Sequence, residues 1–341
     1  MKNRALLLTS IAASLALAEL LLRLFPSAAN VSATASLGIL KPDADLGWVL
    51  KPNVITHLEW AGRDITIHTD AAGHRIPVAV AQSHFSSDSI IAIAGDSYVF
   101  GNEVNAEETF TWLIAERMHE RTVNLGVGGY ALSQECLSLR RYLATHPRTS
   151  RAFLVVYIGN DIEFGVDPVP GSHVDARGGL SRTAESRSSR IANFAVRHSR
   201  LAFMAHVAWR RLRGSPHDSS ATSPPASPDQ RSRWIYNVDQ FTPARLDAHR
   251  AVIQAVRDDA LRLGVPFTVV LMPERDQVYG ALPSLPEDRM VAMLGELHID
   301  TINLLPMIRA RAATLPPLWH EVVEGHLSPA GNQLVAELIA P

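Results

Sequence analysis

Residues 91–97 read Ile-Ala-Ile-Ala-Gly-Asp-Ser, an apolar run closed by a glycine, an acid and a hydroxyl. An uninterrupted apolar run bounded by a turn signal is the pattern of a buried strand of a parallel sheet. Ser97 then sits just past the carboxyl end of that strand, where open α/β sheets place their ligands. Gly95 lets the chain turn sharply and Ser97 opens the next helix, its own N–H pointing into the crevice. A nucleophile needs this geometry: a presented hydroxyl with one oxyanion donor on the same residue. A serine here also serves as a plain helix N-cap. The rest of the chain must supply a base and further donors.

Three later segments carry suitable groups. Asn124-Leu125-Gly126-Val127-Gly128-Gly129 leaves bare backbone at a strand end, where Gly126 can bring its N–H close to an oxyanion. The same glycines also suit a tight strand-to-helix turn. Gly159-Asn160-Asp161 follows Val155-Val156-Tyr157-Ile158; the Asn160 amide can donate to an oxyanion, and Asn-Asp is equally a turn signal. His326, in Glu324-Gly325-His326-Leu327-Ser328-Pro329, stands before the last helix and is the candidate base, although a lone histidine there can also be an ordinary exposed polar residue. Asp96 and Asp161 flank the site and are expected to cap the helix or turn that follows them.

The elements that would position these residues alternate. A strand at 90–94 leads to a helix near 107–120, a strand at 122–125, a helix around 132–144 and a strand at 152–158. A helix at 243–263 runs into the strand Phe267–Leu271, followed by a last strand at 299–304 and a closing helix at 328–340. This alternation implies an α/β fold, a central parallel sheet with helices on both faces. A polar insertion, 165–242, interrupts it. Its polar segments 181–190, rich in serine and arginine, and 215–228, rich in serine and proline, are expected to be disordered, and Ile191–Leu212 between them to be a helix, packed over the cleft or lying on a membrane surface. Residues 45–87 contain short β-like runs bounded by Gly, Pro, Asn and Asp, a small β-rich segment preceding the main domain, 88–341.

The chain has 341 residues, 32 Lys plus Arg against 34 Asp plus Glu, and 47% hydrophobic residues. That balance offers no basic footprint for nucleic acid. The single cysteine, Cys136, excludes an internal disulfide and a Cys-rich zinc site. Residues 1–25 pair a basic start (Lys2, Arg4) with an apolar stretch from Ala5 to Leu22, which suits a membrane anchor or a cleaved signal. Lys2 and Arg4 would stay cytoplasmic, sending everything after residue 25 across the membrane, where 26–44 forms a stalk.

Taken in order, Gly95-Asp96-Ser97-Tyr98, Gly126, Gly159-Asn160-Asp161 and His326 resemble the four sequence blocks of SGNH/GDSL-type hydrolases over about residues 88–341, the insertion excluded. Glu19-Leu20-Leu21-Leu22-Arg23 and Leu46-Gly47-Trp48-Val49-Leu50-Lys51-Pro52-Asn53 are similar to the membrane-tethered branch of that family. The resemblance implies a flavodoxin-like three-layer sandwich and a serine esterase, with Ser97 as nucleophile and His326 as base. It further implies an oxyanion hole from the Ser97 and Gly126 N–H groups and the Asn160 amide. Many members carry an aspartate three residues before the histidine; here that residue is Val323. Glu324 is therefore the candidate acid, since a glutamate can also hold the imidazole tautomer.

The implied substrate is an ester-bearing small molecule or an acetylated polysaccharide, with no cofactor and no metal. An O-acyltransferase and a non-catalytic membrane-anchored binding protein are the competing readings. Two decoys are set aside. Gly126-Val127-Gly128-Gly129-Tyr130-Ala131 fits a dinucleotide fingerprint but lacks the acid about 20 residues on. His320-Glu321-Val322-Val323-Glu324-Gly325-His326 has metal-ligand residue types without metal-ligand spacing.

Overall fold

The computed structural model describes residues 9–10, 13–21, 38–60, 63–78, 89–176, 178–182, 199, 201–202, 205, 233–280, 282–320 and 325–341. Its centre is a five-stranded sheet of β6 (Ile90–Ala94), β7 (Arg121–Asn124), β8 (Thr149–Tyr157), β11 (Phe267–Met272) and β12 (Asp300–Asn303). The spatial order is β12-β11-β8-β6-β7, with every pairing parallel. In order of appearance along the chain this is a 2-1-3-4-5 sheet, whose winding reverses between β6 and β8. At such a switch point the loops leaving the two neighbouring strands diverge to opposite faces, which opens a crevice at their carboxyl ends.

Period-two alternation explains how one sheet supports two cores. Along β6, Ala92 and Ala94 face one cluster while Ile91 and Ile93 face the other; along β8, Leu154 and Val156 oppose Phe153 and Val155. The first face is covered by α3 (Leu132–Thr145), α4 (Asp247–Leu263) and α6 (Leu285–Glu296). On the second lie α2 (Phe110–Met118), α7 (Leu304–Ala312) and α8 (Pro329–Ile339). With both faces buried, these strands read as continuous apolar runs, so the α/β three-layer expectation holds. The helices α5 (Arg275–Tyr279), α6 and α7 were not expected from the sequence. Ser328 caps α8 by accepting from Gly331 N, and Pro329 takes the first helical position, where its missing N–H costs nothing.

Upstream of the sheet, β1 (Leu40–Asp43) pairs with β2 (Gly47–Leu50), and β3 (Ile55–Trp60), β4 (Arg63–Thr69) and β5 (Arg75–Ile76) form an antiparallel three-stranded sheet. They do not stand apart from the main domain. Trp48, Ile65 and Ile67 share a buried cluster with Phe100, Val127 and Tyr130, and the Tyr130 hydroxyl donates to the Trp48 carbonyl at 2.7 Å. From the insertion, β9 (Ser172–Val174) and β10 (Leu180–Arg182) form a hairpin. The expected helix at 191–212 lies almost wholly outside the described residues. Residues 13–21 are helical, and among the described residues no helix is long and apolar enough to cross a membrane.

Candidate active site

One turn of helix, α1 (Ser97–Phe100), follows β6. Asp96 caps it, its Oδ1 accepting from Tyr98 N at 2.8 Å. Gly95 was expected to be needed for a sharp turn, yet it does not have positive φ. Its glycine is required by close packing: a Cβ there would fall closer than 3.0 Å to the Val99 side chain. Gly101, at φ +80, ends the helix in the left-handed region.

Ser97 and His326 are 229 residues apart, and Ser97 Oγ lies 2.9 Å from His326 Nε2. His326 is held on its loop by backbone pairing: His320 N donates to the His326 carbonyl at 2.9 Å, and Trp319 bridges Leu327. The Tyr98 hydroxyl donates to the Gly325 carbonyl at 3.2 Å, and its ring lies 5.2 Å from the imidazole. The ring orientation is therefore set from several sides.

Behind the histidine stands Glu103. Its Oε1 is 2.7 Å from His326 Nδ1, and its side chain is only 2% exposed. Glu324, the acid suggested by the sequence, lies outside the described residues, and the Nδ1 position it was assigned is occupied by Glu103. With a carboxylate accepting at Nδ1, the neutral ring carries its proton there and leaves Nε2 free to accept from Ser97. Asn102 Nδ2 is 3.5 Å from Nε2, at the outer limit of a hydrogen bond. Glu103 adopts φ +71, a conformation rarely taken by a residue with a side chain. Strain of this kind persists where surrounding contacts enforce it, and it clusters at working sites. One signal for Glu103 was present in the chain: a lone acid three residues beyond the apolar run Tyr98–Phe100 and just before Val104.

The oxyanion side is changed at one position. Gly126 is buried, and its N–H donates to Asn124 Oδ1 at 2.9 Å, so it is not presented to a substrate. Asn124 Nδ2 in turn donates to the Val99 carbonyl at 2.7 Å. The sequence signal at Gly126 reports contact between β7's loop and α1 instead. A Cβ at Gly126 would lie closer than 3.0 Å to Phe100 N and Val99 C, which are backbone atoms with nowhere to go. Gly126→Ala is accordingly expected to destabilise the fold by about 3 kcal/mol, read from denaturant midpoints at unchanged slope. Further along the loop, Gly128 is half-buried and Gly129 exposed, the latter at φ +80.

Asn160 follows β8 on a wide helical turn, Ile158–Ile162. Its Nδ2 donates to Asp96 Oδ2 at 2.8 Å, which spends one amide hydrogen and leaves the second to donate elsewhere. Asp96 thus does two jobs, capping α1 and orienting the amide across the switch point. Burial pushes the Asp96 carboxyl up, opposed by those hydrogen bonds and by the charge of His326. Asp161 closes its turn by accepting from Tyr157 N at 2.7 Å. Burial raises the carboxyls of Asp161 and Glu135 well above the ordinary range, and the charge of Asp96 adds to both.

The fold and site together define an α/β protein with a serine–imidazole–carboxylate relay at the switch point of a parallel sheet. No protein-family model matches the chain, and no curated protein matches it. Among solved structures it is similar to a putative lipolytic protein of the G-D-S-L family from Desulfitobacterium hafniense, at 12% identity and TM-score 0.39, covering 74% of this chain and 98% of that one. An acetyl xylan esterase matches at 12% identity and TM-score 0.40, covering 73% and 97%. A carbohydrate esterase family 2 enzyme from Corynascus thermopiles matches at 13% and 0.38, covering 82% and 70%. At these scores the likenesses carry no argument about activity, which rests on the site itself.

Proposed function

We propose that the protein is a serine esterase that cleaves O-acyl groups by two-step acyl transfer. The observation that carries this reading is the continuous relay from Ser97 Oγ through His326 to Glu103, at 2.9 and 2.7 Å. Ser97 attacks the ester carbonyl while His326 Nε2 takes its proton. Glu103 holds the imidazolium that forms. The tetrahedral intermediate collapses, the leaving alkoxide takes the proton back, and water then repeats the sequence on the acyl-enzyme.

The oxyanion is assigned to the Ser97 N–H, the free Asn160 amide hydrogen and the Gly128–Gly129 backbone, which replaces Gly126. Support for Gly128–Gly129 is their place on the loop beyond β7, with Gly129 exposed and Gly128 half-buried, and the bare backbone that glycine leaves. Asn160→Ala is expected to lower kcat by about 10²–10³-fold with KM little changed, as for loss of one oxyanion donor. Steady-state hydrolysis of an aryl acetate reads this out.

We further propose an acetylated carbohydrate outside the cytoplasmic membrane as the physiological substrate class, reached by a chain tethered or exported through residues 1–25. The basic start and apolar stretch of that segment support the location. The function is tested by treating the full chain with a fluorophosphonate and mapping the adduct, alongside aryl acetate turnover. A single adduct on the peptide bearing Ser97 is expected. Labelling elsewhere, together with background turnover, would sink the esterase reading in favour of a non-catalytic protein. Acetyl found on added polysaccharide instead of in solution would make the reaction a transfer.

A further inference from the structure

Arg75 belongs to β5, in the small sheet ahead of the main domain, and is 4% exposed. Its Nη1 donates to the Phe100 carbonyl at 2.7 Å and to the Gly101 carbonyl at 2.5 Å, and its Nη2 donates to the Val104 carbonyl at 2.6 Å. The guanidinium also lies 4.8 Å from the centre of the Phe100 ring. Its three acceptors bracket Asn102 and Glu103, two before and one after. The chain between them carries the left-handed φ of Glu103 and reaches His326.

From this placement we propose that Arg75 is a positioning residue for the relay: it clamps both ends of the 100–104 loop and thereby holds the Glu103 carboxylate against His326 Nδ1. The inference rests on the reading of Glu103 as the acid of the proposed esterase. A planar fork of donors suits the task, because one rigid group satisfies carbonyls on both sides of the strained residue. Without it, three carbonyls that end a helix and enter a loop lose their donor in a buried setting. The loop can then relax toward ordinary φ, and a shift near 1 Å at a reacting group is enough to cost about 10²-fold in rate. Two further contacts tie the same sheet to the following residues: Thr66 N donates to Asn105 Oδ1 at 2.9 Å, and Arg63 pairs with Glu108. The β-rich segment therefore completes the site. Burial pushes Arg75 down to about 9, with Glu107 and Glu108 opposing, which leaves it a cation at neutral pH.

The test is a double-mutant cycle on the full chain, with Arg75→Met and Glu103→Gln singly and together, read as aryl acetate kcat and KM. Arg75→Met alone is expected to lower kcat about 10²-fold, with KM within about twofold. In the Glu103→Gln background it is expected to cost no more than about twofold, since the group it positions has gone. An equal loss in both backgrounds, or none in the first, overturns the proposal. Arg75→Lys passes through the same cycle, so the result does not hang on the methionine variant folding. The proton on His326 Nδ1 gives a readout independent of turnover, a far-downfield NMR resonance expected in the parent and shifted or lost in both Arg75 variants. A resonance unchanged in a folded Arg75 variant overturns the positioning role even if the parent hydrolyses no ester, an outcome that separately removes the esterase reading.

Discussion

Glu103→Gln is expected to lower kcat for ester hydrolysis by about 10⁴-fold while leaving KM close to the parent value. A glutamine keeps the shape and can still accept at Nδ1, but it can equally present its NH₂, which selects the tautomer with the proton on Nε2 and removes the base. It also cannot stabilise the imidazolium in the way a buried carboxylate does at 2.7 Å. The carboxylate contributes little to substrate binding, so the loss falls on kcat. Steady-state kinetics on an aryl acetate checks the magnitude, with Glu324→Gln beside it. Glu324→Gln is expected to keep the parent rate, because Nδ1 already has its partner. Should the loss follow Glu324 instead, the assignment of the acid to Glu103 fails.

The largest effect is expected at the nucleophile. Ser97→Ala should cost about 10⁶-fold in kcat, His326→Ala about as much, and the double variant no more than either. The reason is geometric: Ser97 Oγ is an ordinary alcohol until Nε2, at 2.9 Å, takes its proton. Either half without the other is idle, so the two losses do not add. Hydrolysis remaining in Ser97→Ala should come from the oxyanion donors alone and should persist in the double variant. Additive losses would show that the two residues act in separate steps.

Much of this architecture is legible in the chain itself. Apolar runs at 90–94, 152–157 and 267–271 are strands because both faces of the sheet are covered. Turn chemistry at their ends placed Ser97 and Asn160 at the crevice, since a strand end and its loop are neighbours in sequence as well as in space. Asp96 was legible as a cap for the same reason. Gly126 was misread because a glycine beside a strand end gives one signal for two uses. Exposed backbone for an anion and close approach of α1 both require the missing Cβ, and only the position of Phe100 and Val99 separates them.

Sequence alone therefore determined the α/β layering and singled out Ser97 and His326 as the candidate nucleophile and base, in signals spanning only a few residues: continuous apolar runs, a glycine turn, a helix start. The acid behind the histidine and the support of that acid were decided by tertiary structure. Glu103 is 223 residues from His326, and Arg75 donates across 25 to 29 residues to the carbonyls around Glu103. Neither distance is encoded locally; both follow from how the loop after α1 is folded between the small β-sheet and the closing helix. A search confined to the neighbours of His326 meets Glu324, whereas packing brings Glu103.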